Sequence, residues 1–443
     1  MSHFIPPACA IVAFVVEKPF RPETRIVGRA EGPVREKRAD ICVLGAGISG
    51  ISAAVEAARL GRDVMLIDGL PSLGGQAVNS IIGMFCGLFG NGPNGKQLTH
   101  GIADDILRDL GASGDLEIRM GGVSPNAYYN EIALGRWVER TILKHGITPL
   151  VGAILRRVWM DGRRVTALEL ATRYGDVLVQ AEGFVDATGD AALVWQAGLV
   201  CREPAEGGIY GSQMMVIENF EEARAPSRVE MSARIAERGG FYGLARRDGF
   251  AMSLPGRRTA IVNMTHIETP LDPFEATRSG IAGKEQADHT MAFLKAEFPE
   301  AFADARVRAY GLPGIRQTRW IVGCHHLTVD ELRQGVKFED SIARTAWPLE
   351  QHHHVEGYAW EPFSEDHVHY VPFRSLTPAG ADNIVAAGRC IDADAAALSS
   401  VRVMGPCIAM GAAAAHALDL ADGGSVHTID LAALRKRIAT NVE

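Results

Sequence analysis

A chain of 443 residues with 47% hydrophobic and 22% charged residues is long enough for a large buried core and two domains, and has the balance of an ordinary soluble protein. Its net charge of −8 offers no basic patch for nucleic acid, and its seven cysteines, odd in number and without a Cys-x-x-Cys pair, exclude a disulfide scaffold and a thiol-redox centre. That cysteine usage belongs to a reducing compartment and no stretch reads as a membrane span, so the chain is expected to be cytoplasmic.

Residues 1–39 are expected to form a leader or an extra strand. The apolar run at residues 8–16, Ala-Cys-Ala-Ile-Val-Ala-Phe-Val-Val, is too short to span a bilayer, and Met1 to Pro7 lack the positive charge of a secretory signal. The chain is then organised around residues 40–68. Asp40 to Leu44 is a short apolar strand, Gly45-Ala46-Gly47-Ile48-Ser49-Gly50 turns it tightly into a helix, and Val64 to Ile67 is a second strand that delivers Asp68. Gly45 permits the turn, Gly47 lets backbone approach a pyrophosphate, and Gly50 lets the helix pack on the strand. Ile48, Ile51, Val55 and Leu60 fall at near-helical spacing, and Gly61 stops the helix. Asp68 follows Gly45 by 23 residues, close to the separation at which a carboxylate meets a ribose hydroxyl. It would repel a 2′-phosphate, which leaves FAD or NAD as the dinucleotide.

Pro71-Ser72-Leu73-Gly74-Gly75-Gln76 reads as a turn bringing further amides to the same phosphates. The tract from Ile81 to Gly95 has no period and is expected as loop and short helix near the cofactor. Cys86 within it reads as small core filler rather than nucleophile. Residues 97–111 and 131–145 are predicted amphipathic helices closed by Gly111 and Gly146. Residues 147–151, 154–160, 165–173 and 177–179 are β-like runs forming a meander, with Asp161-Gly162 and Gly175-Asp176 as hairpin signals. An apolar strand then meets Ala187-Thr188-Gly189-Asp190. From about 200 to 375, predicted helices at 273–297 and 328–334 alternate with irregular stretches rich in His, Arg and Trp, which suits a substrate-side domain. Residues 382–388 read as a buried strand ending in Gly388, and Arg389 to Ser400 as a loop. Val403-Met404-Gly405-Pro406 opens a long Ala-rich helix through Asp422.

Three distant segments thus point at one site: the first glycine loop, the Ala-Thr-Gly strand end, and the C-terminal strand, glycine and helix. The layout resembles the glutathione-reductase-type FAD fold, in which a C-terminal strand and helix close over the flavin; an NAD-binding Rossmann dehydrogenase needs no such late return. The chain is more closely similar to the bacterial FAD-dependent oxidoreductase family. The likeness lies in Asp40 to Gly47, Leu73-Gly74-Gly75, Asp186-Ala187-Thr188-Gly189-Asp190, Gly314-Ile315-Arg316-Gln317-Thr318-Arg319, Tyr370 to Leu376, Gly388-Arg389-Cys390-Ile391 and Ser400 to Met404. These segments extend over residues 40 to 420. The resemblance implies FAD and an α/β fold, with a Rossmann-like FAD-binding domain (three-layer, parallel sheet plus β-meander) and an inserted α+β substrate domain. The expected parts are residues 40–200 and 375–425 for FAD, 201–374 for substrate, and a tail helix at 426–443. The residues expected to hold FAD are Gly45, Gly47, Ile48, Ser49, Gly50, Asp68, Gly74, Gly75, Gln76, Thr188, Gly189, Asp190, Gly388, Arg389, Arg402, Val403 and Met404. The helix opening near Gly405 would aim its amides at the flavin N1/C2 carbonyl edge.

No second strand-glycine-helix fingerprint occurs between 200 and 380, so electrons are expected from an organic substrate, leaving to oxygen, a quinone or a carrier protein. Arg316 and Arg319, three apart and on one face if helical, could with Arg374 and Arg402 clamp carboxylates, or pair with acids or FAD phosphate. His352, at a position where the family segment resembling Trp347-Pro348-Leu349-Glu350-Gln351-His352 also has histidine, is the expected proton acceptor. His352-His353-His354 look ligand-like, but neighbours in an extended chain point to opposite faces and no acidic ligand set accompanies them, so no metal is expected. The expected catalytic residues are therefore His352, Arg316 and Arg374. The expected reaction is hydride removal from a small polar metabolite, the carboxylate-bearing class included. Reduction of an activated C=C or C=N bond fed by a partner reductase, and a non-catalytic dinucleotide-binding subunit, are the alternatives. A homo-oligomer is compatible with either.

Overall fold

The computed structural model of the chain describes residues 24–26, 28, 35–204, 208–254 and 258–443. The apolar segment at residues 8–16 lies outside the described residues. The fold is mixed α/β. Its main sheet has seven strands: β1 (Arg35–Leu44), β2 (Val64–Asp68), β3 (Thr148–Val151), β4 (Ala153–Asp161), β5 (Arg164–Thr172), β6 (Gly175–Asp186) and a late strand, Ile384–Ala386. The order is β3-β2-β1-β6-β5-β4, with the late strand against β6.

Three features depart from the sequence reading. First, β1 begins five residues before Asp40, because Arg35 already pairs with Val177. Its front half is charged and exposed, so pairing rather than composition makes it a strand. Second, β3 runs parallel to β2 and belongs to the parallel half of the sheet, not to the meander. Third, β6 is one continuous strand. It pairs antiparallel with β5 over Gly175 to Gln180 and parallel with the late strand over Phe184 to Asp186, while running parallel to β1 along its length. The polar interval Gln180-Ala181-Glu182 hides that continuity from an alternation count.

The helix α1 (Ile48–Arg59) crosses from β1 to β2 and packs against the long C-terminal helix Met404–Ala421. Small residues set the closeness of that contact. A Cβ on Gly411 would stand 2.0 Å from the Ser49 carbonyl oxygen, and Ser52 Oγ donates to the Ile408 carbonyl at 2.7 Å. The helix Met404–Ala421 is long and apolar enough to cross a bilayer, but 72% of it is buried inside this fold, where it serves as the core. Each fully buried Ile or Val along such a contact contributes about 1.5–3 kcal/mol.

A second, antiparallel sheet has the order Phe250–Leu254, Thr259–Asn263, Met215–Glu218, Arg306–Tyr310. Successive side chains in a strand point to opposite faces. Met215, Ile217, Ala260 and Val262 therefore pack on the helix Pro273–Glu297, while Met214, Val216 and Ile261 pack on the segment around Ile81 and Met84. The helix starts where sequence predicts it, capped by Asp272 Oδ1, which accepts from the Phe274 and Glu275 amides at 2.9 Å each. The stretch read as a loop after Arg389 contains a helix, Ala395–Val401, nucleated by Asp394, whose Oδ1 accepts from the Ala397 amide at 2.7 Å.

Candidate functional site

The glycine turn has the geometry its spacing implies. Gly45 sits at φ +105°, and a Cβ there would stand 2.3 Å from the Ala187 carbonyl oxygen; one on Gly50 would stand 1.8 Å from the Gly45 carbonyl oxygen. Both positions are closed to any side chain. Gly47 is the opposite case: it caps α1, and a Cβ there would meet nothing within 4 Å. The first-turn amides of a helix have no intrahelical acceptor, so the open face at Gly47 is a natural anion cradle. Gly75, at φ +50°, leans its backbone into the same cradle, since a Cβ there would stand 2.5 Å from Gly47 Cα. Gly74 is tied to it by donating its amide to the Ala46 carbonyl at 2.9 Å.

Asp68 stands beside this turn at the end of β2. Its carboxylate accepts from the Ala46 amide at 2.6 Å and the Leu70 amide at 2.7 Å. Burial holds the carboxyl above its usual range, and these two amides offset only part of that rise. Ser49 turns its hydroxyl away, donating to the Ala387 carbonyl at 3.3 Å and so joining α1 to the late strand; Ile48 is buried beside it. Gln76 donates Nε2 to the Ile315 carbonyl at 2.9 Å, linking the cradle to the loop that carries Arg316.

The second segment is anchored by a residue absent from the expected site list, the fully buried Asp186. It accepts from the Thr188 hydroxyl at 2.7 Å and from the Thr188, Leu193 and Val194 amides at 3.0–3.2 Å. Thr188 is thereby spent on shaping the turn. Asp190 meets the third segment: it pairs with Arg389 at 2.7 Å, and Arg389 also donates to Thr318 Oγ1 at 3.0 Å. Burial alone would raise the Asp190 carboxyl, but the Arg389 charge and the Thr318 hydrogen bond hold it below the usual range. Gly189 and Gly388, at φ +75° and +93°, flank this pair. At the mouth of the C-terminal helix, capped by Val403, the Gly405 amide donates to the Cys86 carbonyl at 2.9 Å and Pro406 has no amide hydrogen. Met404 is the first-turn donor clear of both constraints.

A cationic cluster surrounds Glu350. Arg316 donates Nη1 to the Tyr210 carbonyl at 2.6 Å and Nη2 to Ser212 Oγ at 3.0 Å, both neutral partners. Burial, Arg402 and Arg246 push its guanidinium down. Among the described residues, the buried Nη2 of Arg402 has no hydrogen-bond partner. One carboxylate, Glu350, acts on both. Burial would raise Glu350, yet the hydrogen bond and charge of His352, with Arg316 and Arg402, hold it down to about 2. His352 Nε2 lies 3.0 Å from Glu350 Oε1, and His352 Nδ1 lies 3.0 Å from His266 Nε2. His266 Nδ1 meets the Val355 carbonyl at 2.9 Å. The His352 side chain is 1% exposed against 23% for Glu350, so of the pair the acid is the one open to solvent. Two residues apart on a strand, Glu350 and His352 share a face, a spacing that could have singled out Glu350 in sequence. Nothing in sequence pairs either with His266, which the fold brings in from the second sheet's side.

The other residues singled out lie elsewhere. Arg374 does not join the cluster: its side chain is half-exposed and grips Asp340 at 3.0 Å. The 311–319 stretch is not helical, so Arg316 and Arg319 do not share a face; Arg319 pairs with Glu203 at 2.6 Å over the Trp195 ring. His325 and His326 turn to Glu331 and Asp392, and His353 and His354 are exposed. Cys86 is near Glu350, but burial first and that negative charge second push its thiol far up, which denies it a thiolate.

The donor set fits an adenine dinucleotide carrying a flavin: an anion cradle open at Gly47, an acid beside it, and buried donors without partners on Asn79, Gln317 and Arg402. A comparison with curated proteins finds no match. Among solved structures, the chain is similar to a myxobacterial chondrochloren halogenase of the FAD-dependent type (14% identity, 91% of this chain and 78% of that chain, TM-score 0.48). It is also similar to a geranylgeranyl bacteriochlorophyll reductase-like protein from Thermoplasma acidophilum (14% identity, 87% of this chain and 78% of that chain, TM-score 0.46). The family model described as FAD dependent oxidoreductase matches residues 40–438.

Proposed function

From the premise that the chain belongs to the FAD-dependent oxidoreductase family, with FAD as its cofactor, we propose that it oxidises a small polar metabolite bearing a carboxylate. FAD, when bound, supplies the two-electron acceptor, its N5 taking a hydride from a C–N, C–O or C–C bond. In this reading residues 40–200 and 375–425 form a Rossmann-like FAD domain and residues 201–374 the substrate side. The first-turn amides of α1 and the Gly74-Gly75 turn hold the pyrophosphate, and Asp68 holds the adenosine ribose. Arg402, Val403 and Met404 would hold the flavin edge.

The single observation that carries the substrate class is the charge count at Arg316 and Arg402. Among the described residues the two guanidiniums share one carboxylate, Glu350, with Asp248 acting second and on Arg316 alone, while Arg316 hydrogen-bonds only a carbonyl and a hydroxyl. Buried charge of one sign is costly unless paired, and a planar carboxylate matches guanidinium geometry. The Glu350–His352 pair takes the proton that the substrate releases. Electrons leave afterwards to oxygen, a quinone or a carrier protein.

The test is anaerobic titration of the oxidised yellow protein with small amino and hydroxy carboxylates and their amide or ester analogues. Carboxylates bleach the visible flavin band and the neutral analogues do not. If instead the photoreduced protein is recoloured by unsaturated carboxylates and the oxidised protein is never bleached, the reaction runs as a reduction and the proposal is wrong.

A further inference from the structure

His266, His352 and Glu350 form a chain of hydrogen bonds with an acceptor at each end. The Val355 carbonyl can only accept, from His266 Nδ1 at 2.9 Å. Ionised Glu350 can only accept, from His352 Nε2 at 3.0 Å, and the two rings meet at 3.0 Å between them. Three contacts need three hydrogens, and two neutral imidazoles carry two. With all three contacts closed, the chain therefore holds one additional proton, shared between the rings and Glu350. Losing it sets two acceptors against each other and opens one contact. Both histidines are 1% exposed, so the proton enters and leaves at Glu350.

The surroundings loosen that proton: burial first and the neighbouring arginines second push both imidazoles below their ordinary range. Glu350 is faced by Arg316, Arg402, Cys86 and the Trp347 indole. His352 is faced by Arg316, Arg246 and Tyr358, and His266 by Arg246, Arg316 and the Tyr210 ring. Arg246 pairs with Asp248 and also donates to Asn263, so among the described residues the positive charge in excess of Glu350 and Asp248 lies at Arg316 and Arg402. That charge repels the proton, and an anion bound against it draws the proton back.

Resting on the oxidation proposed above, we propose that Glu350 is the proton-transfer group of this site. A carboxylate held by Arg316 and Arg402 raises the proton affinity of the relay, with His352 and His266 as positioning residues. The substrate's carboxylate thus strengthens the base that its own reaction needs. In the oxidising step the substrate's N–H or O–H bond breaks with its electron pair left to form the new C=N or C=O bond. Glu350 of the open relay, which lacks the additional proton, takes the substrate's proton and the opened contact closes; bound FAD would accept the carbon's hydride with its two electrons.

The test uses the FAD-loaded oxidised protein with acetate as probe, read by the visible difference spectrum across the neutral pH range, where acetate stays ionised. Binding and proton uptake are reciprocal, so wild-type acetate affinity falls with rising pH by up to about tenfold per unit where the relay loses its proton. Glu350→Gln binds acetate at least as tightly and without that slope. His352→Gln, which cuts the relay but leaves the acid, also loses the slope. Arg402→Gln weakens acetate by about tenfold or more, as loss of a charged partner at a desolvated site does. A pH-flat wild type, no acetate binding by wild type, or Glu350→Gln keeping the wild-type slope overturns the inference. If the slope behaves as stated but no carboxylate bleaches the wild type, the oxidation reading fails and the proton-coupled anion site stands.

Discussion

Gly47 and Gly50 are three residues apart and meet opposite surroundings, the first open and the second closed by backbone. A methyl at Gly50 has nowhere to go, because the Gly45 carbonyl oxygen would be 1.8 Å from it. Gly50→Ala is expected to destabilise the apoprotein by about 3 kcal/mol in urea denaturation. Gly47→Ala meets nothing within 4 Å, so apoprotein stability should change by less than about 1 kcal/mol. Its methyl points into the anion cradle, and FAD affinity measured by fluorescence titration should fall at least about tenfold. Equal losses of stability in both variants would refute the division. The glycine geometry was legible because each position is a spacing within one short segment. The working order of Glu350 and His352 was not: the histidine has the attractive titration range, but only folding shows that both its nitrogens are occupied and that the acid stands at the opening.

At the scale of elements, sequence reading succeeded where a period runs uninterrupted between clear stops. The helix Glu131–Lys144 and the helix Pro273–Glu297 carry their own caps, Asn130 and Asp272. It failed where partners decide. The charged start of β1 and the polar middle of β6 become strands through each other, with Arg38 opposite Gln180, and neither has a local signal. The helix Ala395–Val401 is too short for periodicity to register. The Asp190–Arg389 pair, which ties the Thr188 turn to the C-terminal return, gives a prediction at this scale. Asp190 is held below the ordinary carboxylate range, so the stability it contributes is present above its unfolded pKa and lost as pH falls through the depressed folded value. Asp190→Asn should cost about 1 kcal/mol near neutrality, a modest figure because the Asp190 side chain is 49% exposed. The gap between variant and wild type should close on acidification; a gap that widens would contradict the assignment.

Across the whole molecule, residues more than 300 positions apart are drawn together: Ser49 bonds to the Ala387 carbonyl, and Ser52 to that of Ile408. The convergence of three remote segments was inferable from their shared strand-glycine character. The cluster around Glu350 was not, since Arg402 comes from the C-terminal return, Arg316 from a loop and His266 from beside the second sheet. The central claim, that these segments build one seat for FAD, is tested most directly by the cofactor content of the purified full chain and its exchange against nicotinamide dinucleotides. A yellow protein with equimolar FAD, lost only slowly and not displaced by NAD, is the predicted result. A colourless protein that refuses added FAD while binding a nicotinamide coenzyme tightly would contradict it.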